Sequence, residues 1–144
     1  MSHSFLFKRY LDGKDAPYDF TKLRLILEKH GAKVGDARDA GRGIRRAWVE
    51  FPARDDGDDI SGDECRIYLN DAGVLEFAIG RPGYGDRLKR LAFELLQSSE
   101  MYAHPDSGDE IFTTHGEARH VPKTLLEICE KSDVTVVREL KDLW

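Results

Sequence analysis

Two stretches of the chain have apolar residues at the spacing of an α-helix. The first begins at Asp19 or Thr21, either of which can cap a helix, and runs to about His30; the second begins at about Asp86. Gly31 follows the first stretch, where glycine commonly ends a helix. The apolar residues are Phe20, Leu23, Ile26 and Leu27 in the first stretch, and Leu88, Leu91, Ala92, Leu95 and Leu96 in the second.

Runs of β-prone residues with alternating polarity predict strands. The clearest pair is Cys65–Asn70 and Val74–Ile79, which a turn at Asp71–Gly73 joins into a hairpin. Strict alternation places Leu75 on the same face of the second strand as Phe77. Further strands are expected at Ser4–Leu11, Ile44–Phe51, Met101–Ala103, Ile111–Thr114 and Val134–Val137, and a loop is expected at Gly35–Gly43.

Together these elements predict an α+β fold. A third helix is expected from Pro122, a residue suited to the first helical position, to Cys129. Hairpins mixed with helices favour a mainly antiparallel sheet with about three helices packed on it. The 144 residues are enough for one hydrophobic core. Since no linker divides the chain, a single domain is predicted over residues 1–144.

Composition indicates the cellular compartment in which the protein is expected. No run of about 18 apolar residues occurs, so no membrane span or membrane partner is expected. The apolar patch Phe5–Phe7 is short and is followed by Lys8 and Arg9, which is not typical of a secretory signal. Cys65 and Cys129 are too few for a disulfide framework or a zinc cluster, and both are expected to be buried. The sequence predicts a cytoplasmic protein without cofactor or metal.

Charge is unevenly distributed along the chain. The net charge is −5, but residues 1–50 contain 11 basic and 7 acidic side chains, whereas residues 51–144 contain 11 basic and 20 acidic ones. Such an acidic balance disfavours nucleic acid and favours a basic partner. Six acids fall in residues 55–64, which we call the acidic segment and expect to be an exposed loop without packing capacity. They are Asp55, Asp56, Asp58, Asp59, Asp63 and Glu64.

A glycine-rich connection offers a candidate anion site. Gly80–Gly85 lies between a predicted strand and a predicted helix, where backbone N–H groups can hold an anion, and Arg81 adds a positive charge. Its G-x-x-G-x-G spacing matches neither the dinucleotide fingerprint nor the P-loop. One hypothesis is therefore a small enzyme that binds an anionic substrate at Arg81 and uses His104, His115 or His120 as acid or base. It requires one pocket that contains Arg81 and one of these histidines.

A second alternative rests on a basic, aromatic patch. Arg42, Arg45, Arg46 and Trp48 lie close together in sequence, and arginine and tryptophan can stack on nucleobases. A nucleic-acid-binding or regulatory module would need these residues on one continuous basic face. The simpler interpretation is that Arg46 and Trp48 occupy the exposed face of a half-buried strand.

The favoured hypothesis is a non-catalytic binding protein. A compact acidic domain without a recognisable catalytic motif is typical of a cognate inhibitor of immunity or antitoxin type, which neutralises a toxin or enzyme by covering a basic surface. Under this hypothesis the acidic segment steers association, Arg81 lies in the contact, and Tyr84 and Tyr102 are exposed aromatic anchors. The expected partner is a basic protein, and a homodimer is left open.

Overall fold

The computed structural model describes residues 4–99 and 101–144 and is built on a mixed β-sheet. The strands are β1 (Ser4–Lys8), β2 (Tyr10–Leu11), β3 (Lys14–Asp15), β4 (Lys33–Val34), β5 (Arg38–Gly41), β6 (Ile44–Glu50), β7 (Cys65–Asn70), β8 (Gly73–Gly80), β9 (Tyr102–Pro105), β10 (Phe112–Thr113) and β11 (Thr135–Val136). Their order in the sheet is β11-β10-β9-β1-β8-β7-β6-β4, with β5 also paired to β6. Only β10 and β11 are parallel among the described pairs, and β2 and β3 form a separate hairpin.

Three α-helices accompany the sheet: α1 (Phe20–Lys29), α2 (Asp86–Ser99) and α3 (Lys123–Ile128). Asp19 is the cap of α1, because its Oδ1 accepts a hydrogen bond from Lys22 N at 3.1 Å. The predicted apolar stripe of α2 is buried along its whole length. Each fully buried leucine in it contributes roughly 1.5–3 kcal/mol, so α2 is a principal contact between helix and sheet.

Two hydrophobic cores occupy opposite faces of the sheet. Consecutive residues of a strand point to opposite faces, and Ala103 belongs to the main core with α1 and α2, whereas Tyr102 belongs to a smaller second core. The second core gathers residues from β2, β9, the position just before β10 and the chain around α3, namely Tyr10, Tyr102, Ile111, Val121 and Cys129. The sheet is therefore covered by α1 and α2 on one face and, at its β9 end, by the second core on the other.

The predicted α+β class is confirmed: three helices pack on a mainly antiparallel sheet. Cys65 and Cys129 are buried free thiols, as expected. Within the described ranges, every helix is too short or too polar to cross a lipid bilayer.

Three local predictions were wrong. Part of the Gly35–Gly43 loop is strand β5, which pairs with β6 through its backbone although all four of its residues are exposed. The hydrophobic pattern of the sequence could therefore not reveal this strand. In β8, a bulge pairs Val74 with Leu69, so Val74 rather than Leu75 faces the main core. The first predicted strand ends at Lys8, after which the chain leaves the sheet to form the β2–β3 hairpin.

Candidate functional site

The acidic segment is anchored to the body of the protein. Ile60 is only 1% exposed and belongs to the main core, so the expectation that this segment lacks packing capacity was wrong. Gly62 N donates to Arg81 O at 2.9 Å, and Gly83 N donates to Ile60 O at 3.0 Å. These bonds tie the segment to the connection between β8 and α2. The single apolar side chain within the run of acids provides its attachment.

Two acids of the segment have internal roles. Asp58 Oδ2 accepts from Arg87 N at 3.3 Å in the first turn of α2, where a carboxylate satisfies a free N–H and favours the helix dipole. A side chain at Gly85 would overlap Asp58 Oδ1, which explains the glycine there. Asp59 Oδ1 accepts from Arg54 N at 2.8 Å. The predicted contact residues Asp58 and Asp59 therefore stabilise the segment and the start of α2.

The remaining acids of the segment are exposed to solvent. Asp56 pairs with Arg54 at 3.1 Å, with both side chains about half exposed. Asp63 uses Oδ1 to accept from Glu64 N at 2.8 Å. Asp55, Asp63 and Glu64 form no ion pair with any residue in the described ranges. The anchored segment thus presents unneutralised carboxylates on an ordered backbone.

Arg81 and Tyr84 lie beside this segment at the edge of an open cavity of about 730 Å³. Both residues are exposed and both have positive φ, +46° and +53°. Tyr84 is 41% exposed and is held by edge contacts to Phe5 and Trp144 and by a 2.9 Å bond from Trp144 Nε1 to its carbonyl. Burial and then Asp106, another lining residue, raise the pKa of Tyr84. The prediction of an exposed aromatic is confirmed for Tyr84.

Tyr102 is not an exposed aromatic, and this prediction was wrong. Its side chain is 2% exposed and packs in the second core against Tyr10. Its hydroxyl donates to Glu117 O at 2.8 Å. Because it lies under the β2–β3 hairpin and the chain around α3, Tyr102 stabilises the second core and is inaccessible to a partner.

The cavity beside Arg81 is not lined by His104, His115 or His120. His104 is 4% exposed, and its two ring nitrogens lie 3.0 Å from the Tyr10 hydroxyl and 2.8 Å from Pro105 O. Burial lowers its pKa. His115 and His120 line a separate cavity of about 200 Å³. The pocket that the enzyme hypothesis requires is therefore not formed by these groups. Among residues 4–99 and 101–144, no cluster of His, Cys, Asp or Glu could hold a metal ion.

The predicted basic patch is divided between different parts of the sheet. Arg42 lies at the tip of the β5–β6 turn with φ +58°. Arg45 points to the opposite face from Arg46, where it donates to Asn70 O at 3.3 Å. Arg46 lies over the Trp48 ring, with 4.7 Å from guanidinium to ring centroid. Only Arg46 and Trp48 of the predicted patch therefore act together.

These two residues belong to a larger surface that the sequence analysis missed. The strand register places Trp48 on β6 beside Arg66 on β7, which lies beside Ala78 on β8, which in turn lies beside Leu6 on β1. These four residues form one row across the sheet. A parallel row contains Arg38, Arg46, Tyr68 and Glu76. We call these eight residues the open face, since none belongs to either core cluster, although the small side chain of Ala78 is itself buried. The alternation of Arg66 and Tyr68 with buried Ile67 and Leu69 was the signal that could have revealed it.

The open face contains polar groups without protein partners. Arg38, Arg46 and Arg66 make no ion pair among the residues that the structure describes. Arg66 Nε is buried and has no hydrogen-bond acceptor in the described ranges, which is unusual for a buried donor. Trp48 is 44% exposed. Burial raises the pKa of Glu76, although Lys8 nearby opposes this shift.

Comparison with known proteins adds no relative to this description. No family model, no curated protein and no solved structure matches the chain. The proposals below rest on the contacts, burial and charges of the chain itself.

Proposed function

We propose that the chain is a non-catalytic binding protein of cognate-inhibitor type, as immunity proteins and antitoxins are, and that it covers a basic surface of a partner protein. The observation that supports this proposal is the anchored acidic segment. Ile60 and Asp58 fix its backbone, while Asp55, Asp56, Asp63 and Glu64 remain exposed.

Anchoring matters because association costs conformational entropy. A flexible acidic loop would lose that entropy on binding, whereas a segment already fixed in the free protein presents its charges at lower cost. The exposed carboxylates attract a basic surface over long range and raise the rate of encounter. Once bound, the segment and the body behind it exclude substrate from that surface.

Tyr84 and Arg81 suit the edge of the same contact. Gly62, near the end of the acidic segment, lies against Arg81, with 3.6 Å from the ideal Cβ position at Gly62 to Arg81 Cβ. Tyr84 is an exposed ring fixed by Phe5 and Trp144. A fixed aromatic beside an arginine is typical of the residues that dominate binding energy in protein interfaces. The proposed contact set is Asp55, Asp56, Asp63, Glu64, Arg81 and Tyr84.

The test uses a charge-reversed variant and a matched control. Tagged wild type, the triple variant Asp55→Lys/Asp63→Lys/Glu64→Lys and the control Asp36→Lys/Glu127→Lys/Glu130→Lys are used to capture proteins from an extract of the source organism. The control changes the net charge by the same amount at exposed positions outside the segment. Any protein retained by wild type and control but lost by the triple variant is then purified.

With the purified partner, we expect the triple variant to associate roughly 10-fold to 1,000-fold more slowly at low salt, because electrostatic steering has that magnitude. The control should associate at close to the wild-type rate. Stopped-flow measurement over a series of salt concentrations provides both rates. Equal capture by all three proteins, or equal association rates, would show that the acidic segment is not the contact.

A further inference from the structure

We propose that the open face binds the open face of a second copy of this chain, forming a twofold-symmetric dimer. This contact goes beyond the proposed function and involves no other protein; Glu64 is the one residue that it shares with the proposed partner contact set. It is inferred from three features of the face: arginines without acceptors, an exposed tryptophan, and an order of charges along β6 that is complementary to itself.

The arginines of the open face are available to acceptors from outside the chain. Three guanidiniums lie on neighbouring strands without an ion-pair partner among the described residues, although the charge of Arg66 interacts with that of Glu76 on the same face, and Arg66 Nε is buried without a hydrogen-bond partner there. A carboxylate is the acceptor that best fits the planar fork of a guanidinium. A surface that contacts this face should therefore present carboxylates.

The centre of the face has the composition of an interface core. Trp48 is exposed beneath the guanidinium of Arg46, and half-buried Tyr68 and Leu6 lie nearby on the same face. Tryptophan, tyrosine and arginine are the residues most enriched among binding hot spots. Since neither core includes these side chains, a second molecule can bury them.

The same strand supplies the carboxylate. Arg46 precedes Trp48 by two residues, and Glu50 follows it by two, so all three side chains point to the same face of β6. Two copies placed face to face about a twofold axis through Trp48 bring Glu50 of each copy over Arg46 of the other. An interface of this symmetry requires a surface that is complementary to itself, and β6 has such a surface.

The neighbouring strand extends this complementarity. Val49 pairs with Cys65, so Glu50 and Glu64 lie side by side at one end of the face. The same twofold axis sets Arg66 opposite Arg66, since Arg66 pairs with Trp48, and it places Glu64 of one copy over Tyr68 of the other, about 7 Å along the strand from Arg66. A tyrosine hydroxyl and a guanidinium can both donate to that carboxylate.

These acids also argue for a second copy rather than a polyanion. A single-stranded nucleic acid that followed the arginines would lie close to Glu64, Glu50 and Glu76 on the same face, and its phosphates would be repelled chiefly by Glu64, since Lys33 lies opposite Glu50 and Lys8 pairs with Glu76. A second copy pairs two of these acids with donors. The charges of the face therefore favour self-association.

The decisive test is a pair of complementary charge reversals. Glu50→Arg leaves two positive residues flanking Trp48, and Arg46→Glu leaves two negative ones, so neither variant should form a dimer with itself. An equimolar mixture should form a heterodimer, because each Arg–Glu contact is then restored between unlike chains. Sedimentation equilibrium of wild type, of each variant and of the mixture provides the dissociation constants.

We expect wild type and the mixture to dimerise with similar constants, and each variant alone to dimerise at least tenfold more weakly. Glu127→Arg and Arg90→Glu, at exposed positions on α3 and α2, serve as controls and should dimerise like wild type. Circular dichroism checks that every variant is folded. Trp48→Ala, which changes no charge, should also weaken the dimer.

Three results would overturn the proposal. They are a wild type that stays monomeric at millimolar concentration, a dimer that neither reversal weakens, and reversals that weaken the dimer without rescue in the mixture. A monomer that binds a single-stranded oligoribonucleotide through Arg46 and Arg66 would assign the face to nucleic acid instead.

Discussion

The acidic segment and the open face both expose charge, but the protein fixes them in different ways. The segment is attached by one core side chain, Ile60, and by its own acids, since Asp58 and Asp59 bond to backbone N–H groups. The open face is fixed by the hydrogen-bonded ladder of β6, β7 and β8, and its arginines make no ion pair with any residue that the structure describes. Its structure does not depend on the charges that it displays.

This difference shows which charges are available for binding. In the acidic segment, the residues that maintain the fold and those that face a partner all lie within ten positions. Asp58, Asp59 and Ile60 maintain the fold, and the acids before and after them are exposed. In the open face, strand alternation separates them completely, because Ala47 and Val49 pack inward while Arg46, Trp48 and Glu50 point outward. Substitutions should therefore affect stability in the first region and mainly association in the second.

The largest expected effect comes from removing the anchor of the acidic segment. Ile60→Ala deletes a fully buried side chain from the main core, and we expect a loss of about 2–5 kcal/mol in the free energy of unfolding. Trp48→Ala on the open face should cost less, roughly 1–2 kcal/mol, since the side chain is already 44% exposed and its cation–π contact with Arg46 adds only about 0.5–1 kcal/mol. Denaturant unfolding of dilute protein measures both. Equal losses in the free energy of unfolding for Ile60→Ala and Trp48→Ala would contradict this difference between the two regions.

A smaller effect on stability is expected to distinguish Asp58 from Asp55, although the two residues are only three positions apart. Asp58→Ala removes the acceptor at the start of α2 and should cost about 1 kcal/mol, as loss of a helix cap does. Asp55→Ala should stay within about 0.5 kcal/mol of wild type, because Asp55 makes no ion pair with the described residues. Asp58→Asn, which keeps an acceptor oxygen, should recover most of the loss. Thermal unfolding of the three variants gives the order, and an Asp55 variant as unstable as the Asp58 one would contradict it.

The smallest expected effect concerns Arg66. Arg66→Met keeps the apolar stem and removes a buried donor without an acceptor, whose burial costs roughly 1–3 kcal/mol. We expect the free energy of unfolding of the monomer to be unchanged or to rise by up to about 1 kcal/mol. Arg87→Met provides the contrast, since Arg87 donates to Asp58 O and His30 O and its loss should destabilise. Clear destabilisation by Arg66→Met would mean that Nε has an acceptor.

The sequence predicted those elements whose formation depends on local pattern. The stripe of α2, the Asp19 cap and the β7–β8 hairpin follow from periodicity, capping chemistry and turn residues. Strand β5 could not be predicted in this way, because its residues are all exposed and only backbone pairing defines it. Strict alternation along β8 predicts Leu75 rather than Val74 on the core face, and this prediction was wrong because a bulge interrupts that alternation.

The candidate site was less predictable because it depends on contacts between distant segments. Burial of Tyr102 requires Tyr10, Val121 and Cys129, which are brought together only by the fold. The open face requires the register of β6 against β7, which places Arg66 beside Trp48. Ile60, by contrast, was visible in the sequence as the one apolar residue in a run of acids, and its isolation was the available signal for an anchor.

The two tryptophans give each half of the molecule its own fluorescent reporter. Trp48 is exposed on the open face, whereas the Trp144 ring packs edge-on against Phe5, Tyr84 and Phe112. A Trp144→Phe chain emits only from the indole at the proposed dimer axis, where iodide should quench it until a second copy covers it. A Trp48→Phe chain emits only from the indole bonded to the Tyr84 carbonyl, beside the proposed partner contact. The tryptophan emission of these two variants can thus follow the two surfaces separately without any added dye.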